Sequence, residues 1–217
     1  MQKNYLKLCV VTNFKASDFY AYQEFISSIA HAGVTCIQLR AKKSSDEELL
    51  YFGSTLKEIL QPLGIPLIIN DNVAVAKAVD ADGVHIGQDD LSPQAARDIL
   101  GPDKIIGWSV ETLTDLENAN KLDCINYIGA SAVFNSTTKL DCKTFWGIEG
   151  LTALTAQSKH PVVGIGGINL DNVESVIASG AAGAAVISAI HQHPQPAVIT
   201  AEFIKKINST MDKQNHV

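Results

Sequence analysis

Three short stretches carry side chains that could meet a phosphorylated ligand. Gln38-Leu39-Arg40-Ala41-Lys42 alternates, so Gln38, Arg40 and Lys42 share one face wherever the backbone stays extended, and two cations then point the same way. Anion binding is the chemistry open to them; the alternative is a solvated charge cluster leading into a helix. Asn70-Asp71 and Gln88-Asp89-Asp90 add carboxylates. Asp71 and Asp90 could converge on one hard cation with waters completing its shell, which is how Mg²⁺ is usually held. Against this, Asp71 or Asn70 could simply cap a helix opening near Asn72. Asp90 escapes that alternative because Ser92, just before Pro93, already fits the capping position. Asp89 competes with Asp90 for the ligand role.

A second group suits a phosphate. Gly164-Ile165-Gly166-Gly167-Ile168-Asn169 and Ile187-Ser188-Ala189 both follow apolar runs, and adjacent glycines expose backbone N–H groups to an anion. Paired glycines can also mark no more than a tight turn. Lys139, after Ser136-Thr137-Thr138, is either a mobile charge delivered to the ligand or one more surface lysine. His85 stands alone inside an apolar run, where a histidine is more often a satisfied interior residue than a base, and it is left outside the site.

These residues recur at the ends of strand-like runs. The pattern predicts strands at 6–12, 34–40, 66–69, 83–86, 104–108, 125–129, 161–165 and 183–187, alternating with helices at 18–31, 45–60, 73–79, 93–100, 113–121, 148–158, 170–179 and 197–207. Eight such units in one chain of 217 residues predict a single-domain α/β fold, a (β/α)₈ TIM barrel. Ser44 with Glu47 reads as a capping box and Ser92 with Pro93 as a cap followed by a first-turn proline. In such a barrel, ligands are met at the C-terminal strand ends, where the residues above fall; Ser109 joins them after strand five. The sixth connection, from about 130 to 147, is far longer than the usual 2 to 6 residues or so and predicts a lid over the mouth. Met211 to Val217 is polar and is expected to fray.

Composition narrows the function classes. With 46% hydrophobic residues the chain can bury a substantial core, and a net charge of −6 offers no bulk basic surface to nucleic acid. No apolar run reaches membrane-spanning length, and Met1 to Tyr20 lacks a signal-peptide pattern, so a cytoplasmic protein with neither nucleic-acid nor membrane partners is expected. Cys9, Cys36, Cys124 and Cys142 form no CxxC pair and are expected to be reduced structural thiols; the histidines show no zinc-ligand spacing. Association into a homo-oligomer is left open.

Taken in order, Gln38-Leu39-Arg40-Ala41-Lys42, Ile68-Ile69-Asn70-Asp71, Gly83-Val84-His85-Ile86-Gly87-Gln88-Asp89-Asp90, Tyr127-Ile128-Gly129, Ser136-Thr137-Thr138-Lys139 and Val163-Gly164-Ile165-Gly166-Gly167-Ile168 resemble the thiamine-phosphate synthase family over roughly residues 5 to 190. The resemblance implies a TIM barrel and a pyrimidinylmethyl transfer, in which hydroxymethylpyrimidine diphosphate and hydroxyethylthiazole phosphate (or its carboxylated form) give thiamine phosphate and pyrophosphate. It implies that Gln38, Leu39, Arg40, Ala41, Lys42, Asn70, Ser109 and Lys139 hold the pyrimidine diphosphate. Arg40, Lys42, Ser109 and Lys139 would be the catalytic residues, and Asp71 and Asp90 would bind Mg²⁺. Ser136, Thr137, Thr138, Gly167, Ile187 and Ser188 would hold the thiazole phosphate. The chain departs from the family pattern at Ser131-Ala132, where Gly-Pro is common, at Asn135-Ser136 for Pro-Thr, at Asn13 for Asp and at Glu111 for His. The related thiazole tautomerases use a histidine at the Glu111 position, so retained Lys139 with Glu111 favours the synthase. An isomerase and a silent phosphate-ligand binder are the competing readings.

Overall fold

The chain is described by a computed structural model over residues 4–135 and 145–215. Its strands are β1 (Leu8–Val11), β2 (Cys36–Leu39), β3 (Leu67–Asn70), β4 (Gly83–Ile86), β5 (Ile105–Val110), β6 (Tyr127–Ser131), β7 (Val162–Ile165) and β8 (Gly183–Val186). All pair in parallel with their sequence neighbours, and β8 closes on β1, giving the closed eight-stranded barrel the sequence predicts. The helices between them are α1 (Phe19–His31), α2 (Asp46–Leu60), α3 (Val73–Ala78), α4 (Pro93–Leu100), α5 (Leu113–Ala119), α6 (Gly147–Gln157) and α7 (Val173–Ala178), followed by the short α8 (Ser188–His191) and α9 (Pro196–Asn215).

Period-two alternation divides the apolar residues into two cores. Leu8, Val10, Ile37, Leu39, Leu67, Ile69, Val84 and Ile86 face outward and pack with the helices in the large core. Cys9, Val11, Cys36, Ile68, Tyr127, Val163 and Ala185 face inward and fill the barrel with Leu6 and Ile165. Tyr127 lies across Gly107, where an added Cβ would stand 2.2 Å from its ring. At the N-terminal end Leu6 is 2% exposed and its carbonyl oxygen would meet a Cβ on Gly183 at 1.7 Å, so the barrel is plugged there. Cys9, Cys36 and Cys124 are free thiols.

Local details depart from the sequence expectation in two places. The capping box is Ser45 with Glu48, not Ser44 with Glu47: Ser44 is taken up in a turn, its N–H donating to the Ala41 carbonyl at 3.0 Å, and the helix starts one residue later. Ser92 caps α4 as expected, accepting from the Ala95 N–H at 3.3 Å. The last helix runs on to Asn215 rather than stopping near Ile207, so residues 211–215 are helical; residues 216 and 217 lie outside the described residues. The cause is tertiary: Met211 packs on the outer core, and Gln214 Nε2 donates to the Ile177 and Ala178 carbonyls at 3.2 and 3.3 Å, satisfying the C-terminal end of α7.

Candidate active site

The C-terminal ends of the strands open into a cavity of about 330 Å³ that reaches down between them to Leu6, Cys9 and Cys36. Strand alternation decides which residues enter it. In β2 and its continuation, Gln38, Arg40 and Lys42 line the cavity, while Leu39, fully buried, packs outward among the helices and Ala41 lies off the cavity surface. The three-residue stride of anion-binding candidates is thereby assembled, and Leu39 and Ala41 can offer the ligand only backbone. Thr12 fixes this segment: its hydroxyl donates to the Arg40 carbonyl at 3.1 Å and accepts from the Arg40 N–H at 2.8 Å.

Asn70, Asp71, Asp89, Asp90, Ser109, Gly167, Ile187 and Ser188 also line the cavity. Gln38 Nε2 donates to Asn70 Oδ1 at 2.7 Å, which pre-sets both amides. Asn72, not Asp71 or Asn70, caps α3, its side chain accepting from the Val75 N–H at 2.9 Å. Asp71 is therefore free of capping and adopts a left-handed backbone, φ 64°, that a non-glycine residue rarely takes. Its carboxyl contacts that of Asp90. Burial first, and then the Asp90 charge, push the Asp71 pKa up to about 6, against the smaller opposing pull of Lys42 and Arg40. Asp90 has a structural duty that the sequence did not reveal: it accepts from the Gly87 N–H at 2.7 Å.

Two carboxylates from adjacent strands, driven together at the cost of a raised pKa, fit a hard divalent cation whose remaining ligands are water and phosphate oxygens. Among the described residues no cluster of three or more His, Cys, Asp or Glu side chains forms a closed metal site.

Loop seven needs its glycines. Gly166 and Gly167 have φ of 102° and 64°, and a Cβ on either would stand 2.5 Å from Ala132 Cβ or the Asn135 carbonyl oxygen, respectively. Gly166 also accepts from the Phe134 N–H at 3.0 Å, so loops six and seven are laced together beside the cavity. The Ser131–Ala132 peptide in that loop is cis. Ser136, Thr137, Thr138 and Lys139, with the rest of the expected lid through residue 144, lie outside the described residues.

His85, set aside in the sequence reading, belongs to the cavity, as does Gln88. His85 points inward from β4, its Nδ1 at 2.9 Å from the Tyr127 hydroxyl and its Nε2 at 3.0 Å from Ser109 Oγ, so it orients a predicted site residue. Gln88 Nε2 donates to the Ser109 carbonyl at 2.6 Å. The signal was available for His85: strand parity puts it on the same face as Asn70, its register partner in β3. Glu111, 8% exposed, lines the same wall.

A family model described as thiamine monophosphate synthase matches residues 8–190. The chain is 46% identical over 200 residues to the thiamine-phosphate synthase of Chlamydia abortus, covering 92% of this chain and 94% of that one. It is 41% identical over 201 residues to the Vibrio parahaemolyticus thiamine-phosphate synthase, covering 93% and 97%. The solved thiamine phosphate pyrophosphorylase of Pyrococcus furiosus superposes with a TM-score of 0.86 at 35% identity, over 95% of this chain and 98% of that one.

Proposed function

The chain belongs to the thiamine monophosphate synthase family, and from that premise we propose how its cavity carries out the transfer. The enzyme is a transferase of thiamine biosynthesis. It joins hydroxymethylpyrimidine diphosphate to hydroxyethylthiazole phosphate, releasing pyrophosphate and forming thiamine phosphate. The bond between the pyrimidine methylene carbon and the diphosphate oxygen breaks, and that carbon bonds to the thiazole nitrogen.

The reading of the site rests on one observation: Arg40, Lys42, Asp71 and Asp90, separate in sequence, converge on one cavity wall. In this reading Arg40 and Lys42 grip the departing diphosphate, and Asp71 and Asp90 would hold Mg²⁺. The bound ion supplies further neutralisation of the charge that develops on the leaving oxygens. Gln38 and Asn70, already bonded to each other, and Ser109, held by His85 and Gln88, orient the pyrimidine. Gly167, Ile187 and Ser188 receive the thiazole phosphate across the mouth. Ser136, Thr137 and Thr138 would join them, and Lys139 would add its charge to the diphosphate; all four lie outside the described residues.

Departure of a diphosphate from a ring-stabilised methylene needs charge neutralisation rather than a nucleophile, so electrostatic preorganisation is the main catalytic contribution. The apolar interior around Val163 and Ala185 keeps water from the cationic carbon until the thiazole nitrogen takes it. No helix among the described residues is long and apolar enough to cross a membrane; in this reading the enzyme works in the cytoplasm.

Release of pyrophosphate, followed with both substrates with and without a chelator, tests the reading. Product formation that requires both substrates and stops on chelation is expected; turnover indifferent to chelation removes Asp71 and Asp90 from the metal role. A thiazole isomerase would instead convert one tautomer without the pyrimidine substrate, and would lose that conversion in Glu111→Ala.

A further inference from the structure

The first and last strands meet over Leu8 to Val10 and Ala184 to Val186, and above this seam a chain of hydrogen bonds crosses between the two flanking loops. The Asn13 N–H donates to the Tyr22 hydroxyl at 3.3 Å, that hydroxyl lies 2.5 Å from His191 Nε2, and His191 Nδ1 lies 2.7 Å from the Ile187 carbonyl oxygen. With a neutral imidazole only one proton arrangement satisfies all three contacts. A carbonyl accepts, so Nδ1 carries the proton; Nε2 then presents its lone pair, and the Tyr22 O–H donates to it while its oxygen accepts from Asn13. Burial, which lowers the His191 pKa below its ordinary value, favours the same neutral form.

The tie is walled by aromatic rings. Tyr22 packs on Phe14 at 4.7 Å and on Phe25 at 5.1 Å between centroids, and Phe25 packs on His191 at 4.8 Å. Neither Tyr22 nor His191 lines the cavity, whereas Ile187 and Ser188 do. Helix α8, which begins at Ser188, is four residues long, too short to hold its shape by its own hydrogen bonds. Something outside it must set its position, and the hydrogen bond from Tyr22, beside the Phe25 ring contact, reaches it from α1.

We propose that Tyr22 and His191 are positioning residues for the thiazole-phosphate side of the site. They anchor the Ile187 carbonyl to the loop after β1 and so fix where Ile187 and Ser188 meet the phosphate. The proposal rests on the assignment of Ile187 and Ser188 made above.

Steady-state kinetics with each substrate varied in turn test it. Tyr22→Phe keeps the ring packing and removes the hydroxyl; the KM for thiazole phosphate should rise about fivefold, the loss expected of one hydrogen bond. The KM for pyrimidine diphosphate and kcat should stay within about twofold, a split that general loosening of the fold would not give. His191→Ala should do the same or more. His191→Asn, whose amide can reach the Ile187 carbonyl from the Nδ1 position but not the Tyr22 hydroxyl, should match Tyr22→Phe rather than wild type. Adding Tyr22→Phe to His191→Ala should raise the KM no further. Equal rises in both KM values, a fall in kcat alone, or no change in Tyr22→Phe overturns the proposal. Ser188→Ala separates it from the reading it rests on. An unchanged thiazole-phosphate KM there removes the phosphate placement, and the proposal with it, whereas a raised KM there with none in Tyr22→Phe removes only the tie.

Discussion

Asp71 and Asp80 stand at the two ends of one helix, and both hold the left-handed backbone otherwise found, among the described residues, only at glycine, with φ of 64° and 51°. Their surroundings are opposite. At the N-terminal face of the barrel, Asp80 is clamped by Lys104 and Lys57, whose ammonium groups each reach a carboxylate oxygen at 2.6 Å; Lys57 also donates to its backbone carbonyl. Those two lysines pull the Asp80 pKa down to about 2. At the C-terminal face, Asp71 is pressed against a second carboxylate, and its pKa rises to about 6. One end of α3 resolves its charge internally; the other leaves charge for a ligand to resolve. On the proposed reading the contrast separates what stabilises this barrel from what it uses, and it is open to direct test.

The largest effect should come from Asp71→Asn, which should lower kcat by about a hundredfold to a thousandfold, in line with removal of one preorganised charge contact. Asp80→Asn should leave kcat within about twofold and lower stability by less than about 1 kcal/mol, because that carboxylate is mostly exposed. Pyrophosphate release and denaturant melts read the two numbers; a catalytic defect in Asp80→Asn collapses the contrast. Next, Mg²⁺ at ten times its Kd should stabilise the wild-type chain by about 1.4 kcal/mol and Asp71→Asn by almost nothing. A thermal shift equal in both variants places the ion elsewhere.

Asn72→Ala sharpens the comparison further. It removes the cap of α3 and should cost about 1 kcal/mol with activity within a few fold. Unchanged stability together with lost activity means that Asp71 has swung over to serve as the cap. The smallest effect is in the pH dependence of the metal-free chain. Asp71 has a folded pKa above its unfolded one, so between about pH 4 and about pH 6 the native state holds the extra proton, and this group's contribution to stability falls as pH rises through that window. Asp80 has the reverse sign: its contribution is present above about pH 4 and is lost as pH falls toward about 2. Urea titrations of wild type and Asp71→Asn should therefore converge on acidification from pH 6 to about pH 4 and diverge above it. Parallel curves across that range remove the carboxylate pair.

What the sequence made legible follows from periodicity. The stride of Gln38, Arg40 and Lys42 fixed their shared face because side chains alternate along a strand, whereas Leu39, included through the family resemblance, turns its side chain outward in the structure. His85 was passed over because its partners, Tyr127 and Ser109, are brought to it by strands distant in sequence, and a lone histidine in an apolar run carries no local sign of them. The continuation of α9 was hidden for the same reason, since Gln214 is secured by carbonyls of α7. Ser44 and Glu47 misled by one residue because Ser45 and Glu48 present the same spacing, and only the turn at Ala41 decides between them.

Among the described residues, the plug formed by Leu6 beneath Gly183 closes one end of the barrel and leaves the other as its door. Both reactants must arrive, and both products depart, through one opening. Whichever ring rests deepest, against Cys9 and Cys36, has to come in before its partner. Traffic through the enzyme is queued by architecture, and product-inhibition patterns should show an obligatory sequence of binding rather than random entry.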